Sequence, residues 1–247
     1  MKGHSSSDVP LHCLLSVIGG FLGAYSILAR CNFFGSAQTA NMIFMISDVF
    51  GHNWGDIAIR LGALILFSAA IALSAFLRPR FTCHLKLLCV LIDAIAVLIL
   101  GFLPQDMDPV LALYPMFFAM AFQWCSFPGT REYSSSTTFS TNNLRQFVTA
   151  LTGCLTDRHP EHLRKLKFYG AALFSFHAGV FLSIFFWSIL GIRSVWLCLI
   201  PIAFAGFILA PNTLRAISIS TLPAPPCPVS SRQKDSIPPS PGKQSVC

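Results

Sequence analysis

The sequence predicts an all-α integral membrane protein, and three observations carry that reading. Only 11% of the 247 residues are charged while 54% are hydrophobic, whereas soluble domains carry about 25% charged residues. So few charges cannot cover a water-facing surface. Six apolar runs each approach the ~20 residues that cross a bilayer as a helix. Backbone in lipid must satisfy its own hydrogen bonds, so every run is read as helical.

The runs are 11–29, 58–77, 85–103, 110–127, 168–190 and 195–213. The first follows one firm positive charge, Lys2, and its Leu11–Ala29 stretch is long for a signal peptide, so it reads as a retained span. The second opens with Arg60, whose long side chain can reach the headgroups. The third holds Asp93 at its centre. The 23 Phe suit lipid-facing surfaces and tight packing between helices. Domain limits follow: a short N-terminus over 1–10, a membrane domain over 11–215, and a tail over 216–247. Residues Thr221 to Cys247 include seven Pro and five Ser, too little apolar surface to fold, so a disordered cytoplasmic tail is expected.

Lys and Arg set the expected orientation. With both ends cytoplasmic, fourteen lie inside, among them Lys2, Arg78, Arg80, Lys86, six in the fourth-to-fifth loop and four after the last span. Three lie outside: Arg30, Arg60 and Arg193. That bias predicts both termini on the cytoplasmic side of a plasma (inner) membrane. It also accounts for the net charge of +7 without nucleic acid as a partner. The nine Cys are scattered and odd in number, and read as small apolar residues.

An internal echo divides the chain. Ser36-Ala37-Gln38-Thr39-Ala40-Asn41 precedes an apolar stretch, Met42 to Phe50. Ser140-Thr141-Asn142-Asn143 precedes Leu144 to Leu155, where Leu144, Phe147, Val148, Leu151 and Leu155 recur at helical spacing. Thr and Asn are expected as N-caps there. Two units of three spans, about 11–103 and 110–213, must enter the membrane from opposite sides. This is the inverted repeat of many secondary transporters. Two unrelated capped helices are the alternative.

These residues resemble the YoaK family, a membrane family classed as domain of unknown function 1275. The resemblance rests on Gly19-Gly20-Phe21-Leu22-Gly23-Ala24-Tyr25, Ala37–Asn41, Ala119-Met120-Ala121-Phe122-Gln123 and Thr137–Leu144. It spans roughly 11–213 and implies six spans with no firm substrate. The chain departs from the family pattern at Gly23, where family members usually carry Asp. It departs again at Ala40 and Asn142, where they carry Gly, and at Trp124, where they often carry Asn.

Candidate solute-binding residues are Gln38, Thr39, Asn41, Asp93, Gln123, Thr141 and Asn143. Asp93 is costly at mid-span unless paired or facing a cavity, and reads either as a proton or cation site or as a hydrogen-bonded tie between helices. Gln123 is expected to cross-link helices, and His177 to bond a neighbouring helix. Gly19 and Gly23 form a Gly-x-x-x-Gly pair that allows close helix approach. His159-Pro160-Glu161-His162 lacks the HExxH spacing, and Ser134–Ser136 has no base beside it. No catalytic residue, metal or cofactor is expected, and so no enzyme. Transport of a small solute is the leading reading; a membrane structural or interaction protein is the alternative. The expected partners are the lipid bilayer and that solute.

Overall fold

The computed structural model describes residues 8–31, 33–80, 82–130, 132–157 and 159–220. The chain forms α1 (Asp8–Ala29), α2 (Thr39–Phe50), α3 (Trp54–Leu77), α4 (Thr82–Phe102), α5 (Pro109–Ala112) and α6 (Tyr114–Ser126). It continues as α7 (Thr141–Thr156), α8 (Pro160–Leu190), the 3-10 segment η1 (Gly191–Cys198) and α9 (Leu199–Ser220). One isolated bridge, Gly129 with Ser134, is the β pairing among the described residues. Residues 1–7, most of the expected N-terminal segment, and the expected tail from residue 221 on lie outside those described.

The molecule is an integral membrane protein. Among the described residues, four helical stretches are long and apolar enough to cross a bilayer: Val9–Ala29, Trp54–Leu77, His84–Phe102 and Pro160–Pro211. The expected fourth run, 110–127, is split at Leu113 into α5 and the 13-residue α6. Pro115 is the physical cause, since its ring opposes the carbonyl of residue 111 and it donates no hydrogen bond. The expected fifth and sixth runs are joined through η1, and α8 begins at Pro160 rather than 168. Gly191 takes φ +56° at their junction, a conformation suited to glycine.

Side-chain contacts give the helix directions. His12 of α1 packs on Phe168 of α8 and Tyr25 on Trp187, while Gly20 and Gly179 lie against the Phe176 and Val17 carbonyls at the crossing. α1 and α8 therefore run parallel, close enough that only glycine fits at the crossing. Tyr114 donates to the Ile59 carbonyl at 2.6 Å, and Arg78 bonds the Cys125 carbonyl, so α3 and α6 also run parallel. Val90 faces Gly206 while Gly101 faces Trp196, so α4 and α9 run antiparallel.

Arg30 joins the C-terminal ends of α1 and α4. It is 1% exposed, and it donates to the carbonyl of Pro104 at 2.7 Å and to those of Leu103 and Gln105 at 3.4 Å. These carbonyls follow the end of α4, where its dipole is negative.

α2 and α7 are short and turn back along the next helix, α2 on α3 and α7 on α8. Leu144, Val148, Leu151 and Leu155 are all exposed, while Asn143, Ala150 and Gly153 are buried. α2 repeats the arrangement, with Ile43, Phe44, Ile46 and Phe50 outward and Asn41 buried. On a membrane protein such outward apolar stripes face lipid, and the polar residue faces protein.

A buried polar candidate site

Asn41 and Asn143 are each the third residue of their short helix. The expectation that Thr and Asn cap these helices is corrected. Gln38 and Ser140 hold the N-cap positions, and neither side chain caps. Thr39 and Thr141, the first helical residues, are exposed, whereas Asn41 and Asn143 are buried. The 3.6-residue period explains the split, because N1 and N3 lie on different faces.

Around Asn41, its amide donates to Gln38 Oε1 at 2.9 Å and Arg60 Nη1 approaches its Oδ1 at 3.4 Å. Arg60 also pairs with Asp48 at 2.7 Å and covers the rings of Phe33 and Phe44. The Arg60–Asp48 ion pair pins α2 to α3.

Around Asn143 the network is denser. The chain leaves α6, turns through Gly129 at φ +123°, and enters a run of hydroxyl residues. Ser135, Ser136, Thr137 and Thr138 are all buried. Asn143 Nδ2 donates to the Ser136 carbonyl at 2.7 Å, and its Oδ1 accepts from Ser135 Oγ at 2.9 Å. Ser135 Oγ also shares a 2.8 Å hydrogen bond with His12 Nε2 of α1. Gln123 Nε2 donates to Thr137 Oγ1 at 2.8 Å and to the Leu15 carbonyl at 3.2 Å. The cross-link expected of Gln123 is present and ties α6 to α1. Two atoms remain without a hydrogen-bond partner: His12 Nδ1 and Gln123 Oε1. Buried polar atoms are seldom left so, and both can bond a polar guest.

The loops before α2 and α7 insert between the same two helices. Phe34 of the first loop lies against Gly23 of α1, and Gly35 against Met116 of α6. The Thr137 carbonyl of the second lies against Gly19 of α1, and its hydroxyl bonds Gln123 of α6. The Gly19-x-x-x-Gly23 pair thus receives loops, not a helix; Gly20 and Gly179 make the helix crossing. A larger side chain at position 23 would strike the Phe34 ring.

Thr39 and Thr141 apart, which are exposed, the predicted residues fall into three groups. Gln38 and Asn41 bond each other, Gln123 and Asn143 join the second network through the loop, and Asp93 sits apart on α4, fully buried. Asn41 and Asn143 share no hydrogen-bonding residue. His177 corrects another expectation: it is exposed and bonds the Leu173 carbonyl of its own helix at 2.8 Å. Sequence reasoning missed His12, Ser135 and Ser136. The hydroxyl run is a visible signal in the sequence, whereas His12 is hidden among apolar neighbours. Among the described residues no group of three or more His, Cys, Asp or Glu could hold a metal.

A family model described as "Protein of unknown function (DUF1275)" matches residues 11–208. No curated protein and no solved structure matches the chain.

Proposed function

The chain belongs to that family of unknown function, and from its own geometry we propose that it is a six-span transporter of a small polar solute, built from two inverted repeats. The observation that carries the reading is the pair of non-helical loops inserted from opposite ends onto one stripe of α1. Gly23 meets the first loop and Gly19 the second, about 6 Å apart along the helix. Non-helical backbone at membrane depth is tolerated where it is buried in protein or lines a cavity. Transporters place their sites at such breaks near the midplane.

The repeat reading has further support in packing. α1 lies parallel to α8, as α3 does to α6, which pairs each unit's first span with the other unit's second. Two apolar grooves share six positions at fixed offsets, with one Leu from the second span of each unit. One is lined by Leu66, Ile92, Ile95, Ala96, Ile99, Tyr114, Pro115 and Phe118. The other is lined by Leu182, Ile200, Pro201, Ala203, Phe204, Phe207, Leu14 and Val17; Tyr114 and Pro201 have no counterpart. Within α4 and α9 the partners are always 108 apart, and within α1 and α6 always 101 apart. Asn41 and Asn143 then hold the same place in the two units. In this reading α5 and α6 together make the fourth span, and α8 and α9 the last two.

The Lys and Arg bias supports cytoplasmic termini. The solute site centres on His12, Gln123, Thr137 and Asn143, and no catalytic step is assigned to it. The membrane structural role remains the second reading; the apolar character of both grooves favours it. Uptake profiling of a deletion strain across many solutes tests the proposal. Wild type should restore uptake of one class, and Gln123→Leu should lower it at least tenfold at equal protein level. Equal uptake by wild type, variant and deletion for every solute would reject transport.

A further inference from the structure

We propose that Asp93 is a proton-binding site at the seam between the two halves, and that its proton exchanges with water. This deepens the transport reading by naming the coupling ion. It rests on that reading for its purpose alone.

Asp93 stands mid-way along α4 and is fully buried. Its Oδ2 accepts a weak hydrogen bond from the Cys89 thiol one turn earlier, at 3.8 Å. Its Oδ1 has no hydrogen-bond partner. α4 packs mainly on α6, η1 and α9, all from the other half of the chain, so the carboxyl lies where the halves meet.

The titratable groups facing Asp93 are thiols: Cys89 on α4 and Cys198 on η1, with Cys125 of α6 next to Cys89. Leu199–Pro211 of α9 carries no titratable side chain, and those of α3, Asp56 and Arg60, lie in its first two turns. No Lys, Arg or His among the described residues is paired with the carboxyl.

A carboxylate here would hold an uncompensated charge in an apolar interior. Alkali and alkaline-earth cations require several oxygen ligands, and one carboxyl among thiols supplies too few. A proton requires a single oxygen. The helix-tie alternative requires the acid to bond a partner across the seam, and its only bond is to a thiol of its own helix. No hydrogen bond across the seam has to break for the proton to leave, since Oδ1 is unpartnered and Oδ2 meets only the Cys89 thiol.

Infrared spectroscopy of the full chain in lipid bilayers tests this. At neutral pH the wild type should show a carboxylic C=O band that shifts in heavy water, fades on alkaline titration, and is lost in Asp93→Asn. Absence of the band would mean an ionised Asp93, and a band unchanged after hours in heavy water would mean a sealed structural acid; either overturns the proposal. Should Asp93→Asn fail to fold, carbon-13 aspartate in the wild type assigns the band to an aspartate, and Asp93 is the buried aspartate among the described residues. The measurement needs no solute. An exchanging Asp93 in a chain that moves nothing would reject transport and leave the proton site standing.

Discussion

Gly19, Gly20 and Gly179 are held by backbone. A Cβ on any of them would strike a carbonyl oxygen, of Thr137, Phe176 and Val17 respectively, and backbone cannot swing aside as a side chain can. Each should fail as alanine, losing about 1–3 kcal/mol by overpacking. Gly55 has nothing near it and Gly206 has only Val90 Cγ1 at 3.7 Å, so their alanine variants should unfold with the wild type. Thermal unfolding in detergent reads the contrast; equal losses at all five positions would contradict the packing. Arg30 gives a second prediction. Its guanidinium reaches three carbonyls beyond α4, whereas lysine offers a point charge without the fork. Arg30→Lys should therefore destabilise by about 1–3 kcal/mol, since buried hydrogen bonds to charged groups are lost, and Arg30→Met by more. Unfolding midpoints that match the wild type in both variants would remove Arg30 as the link between α1 and α4.

At the scale of elements, the short helices invert the usual reading of an apolar stripe. In water, Leu144, Val148, Leu151 and Leu155 would face a core; here they face away from the protein, and Asn143 takes the inward side. A spin label at Val148 should accordingly be relaxed by oxygen, which partitions into lipid, more than by a water-soluble nickel chelate. A label at Ile46 should behave alike on α2. Preferential relaxation by nickel at both sites would place these helices outside the bilayer. The periodicity alone could not separate lipid from core, because both are apolar. The interruption at Leu113 was legible in Pro115, yet the run 110–127 reads as continuous when hydropathy is the criterion.

At the scale of the whole molecule, the proposed six-span topology predicts how reporter fusions behave. Fusions after Lys86 and after Lys243 should report the cytoplasm, and one near Asp106 the opposite side. An external signal at Lys243 would remove both the orientation and the even span count. Parallel pairing of α1 with α8 adds a stronger constraint. Cysteine pairs near Ala24 and Trp187 should cross-link within one chain, since Tyr25 and Trp187 are 5.8 Å apart between ring centroids. Failure of those pairs, with success of pairs joining Ala24 to the start of α8, would reverse the pairing.

Read alone, the sequence determined the membrane class, the helical content and the family. Each depends on composition and on motifs a few residues long: too few charges to face water, runs of bilayer length, and Thr-x-Asn before an apolar stretch. It also named the residues that become buried at the first turns of α2 and α7, and Gln123 as a cross-link. Tertiary structure decided which polar groups meet. Ser135 bonds His12 across 123 positions, and Gln123 reaches Leu15 across 108, separations over which no local pattern carries information. It also decided that Gly19 and Gly23 receive loops, that Arg60 pairs with Asp48, and that His177 turns outward. Those outcomes depend on which helix faces lie together, and many apolar faces are interchangeable by sequence until backbone contact at Gly20 and Gly179 selects one arrangement.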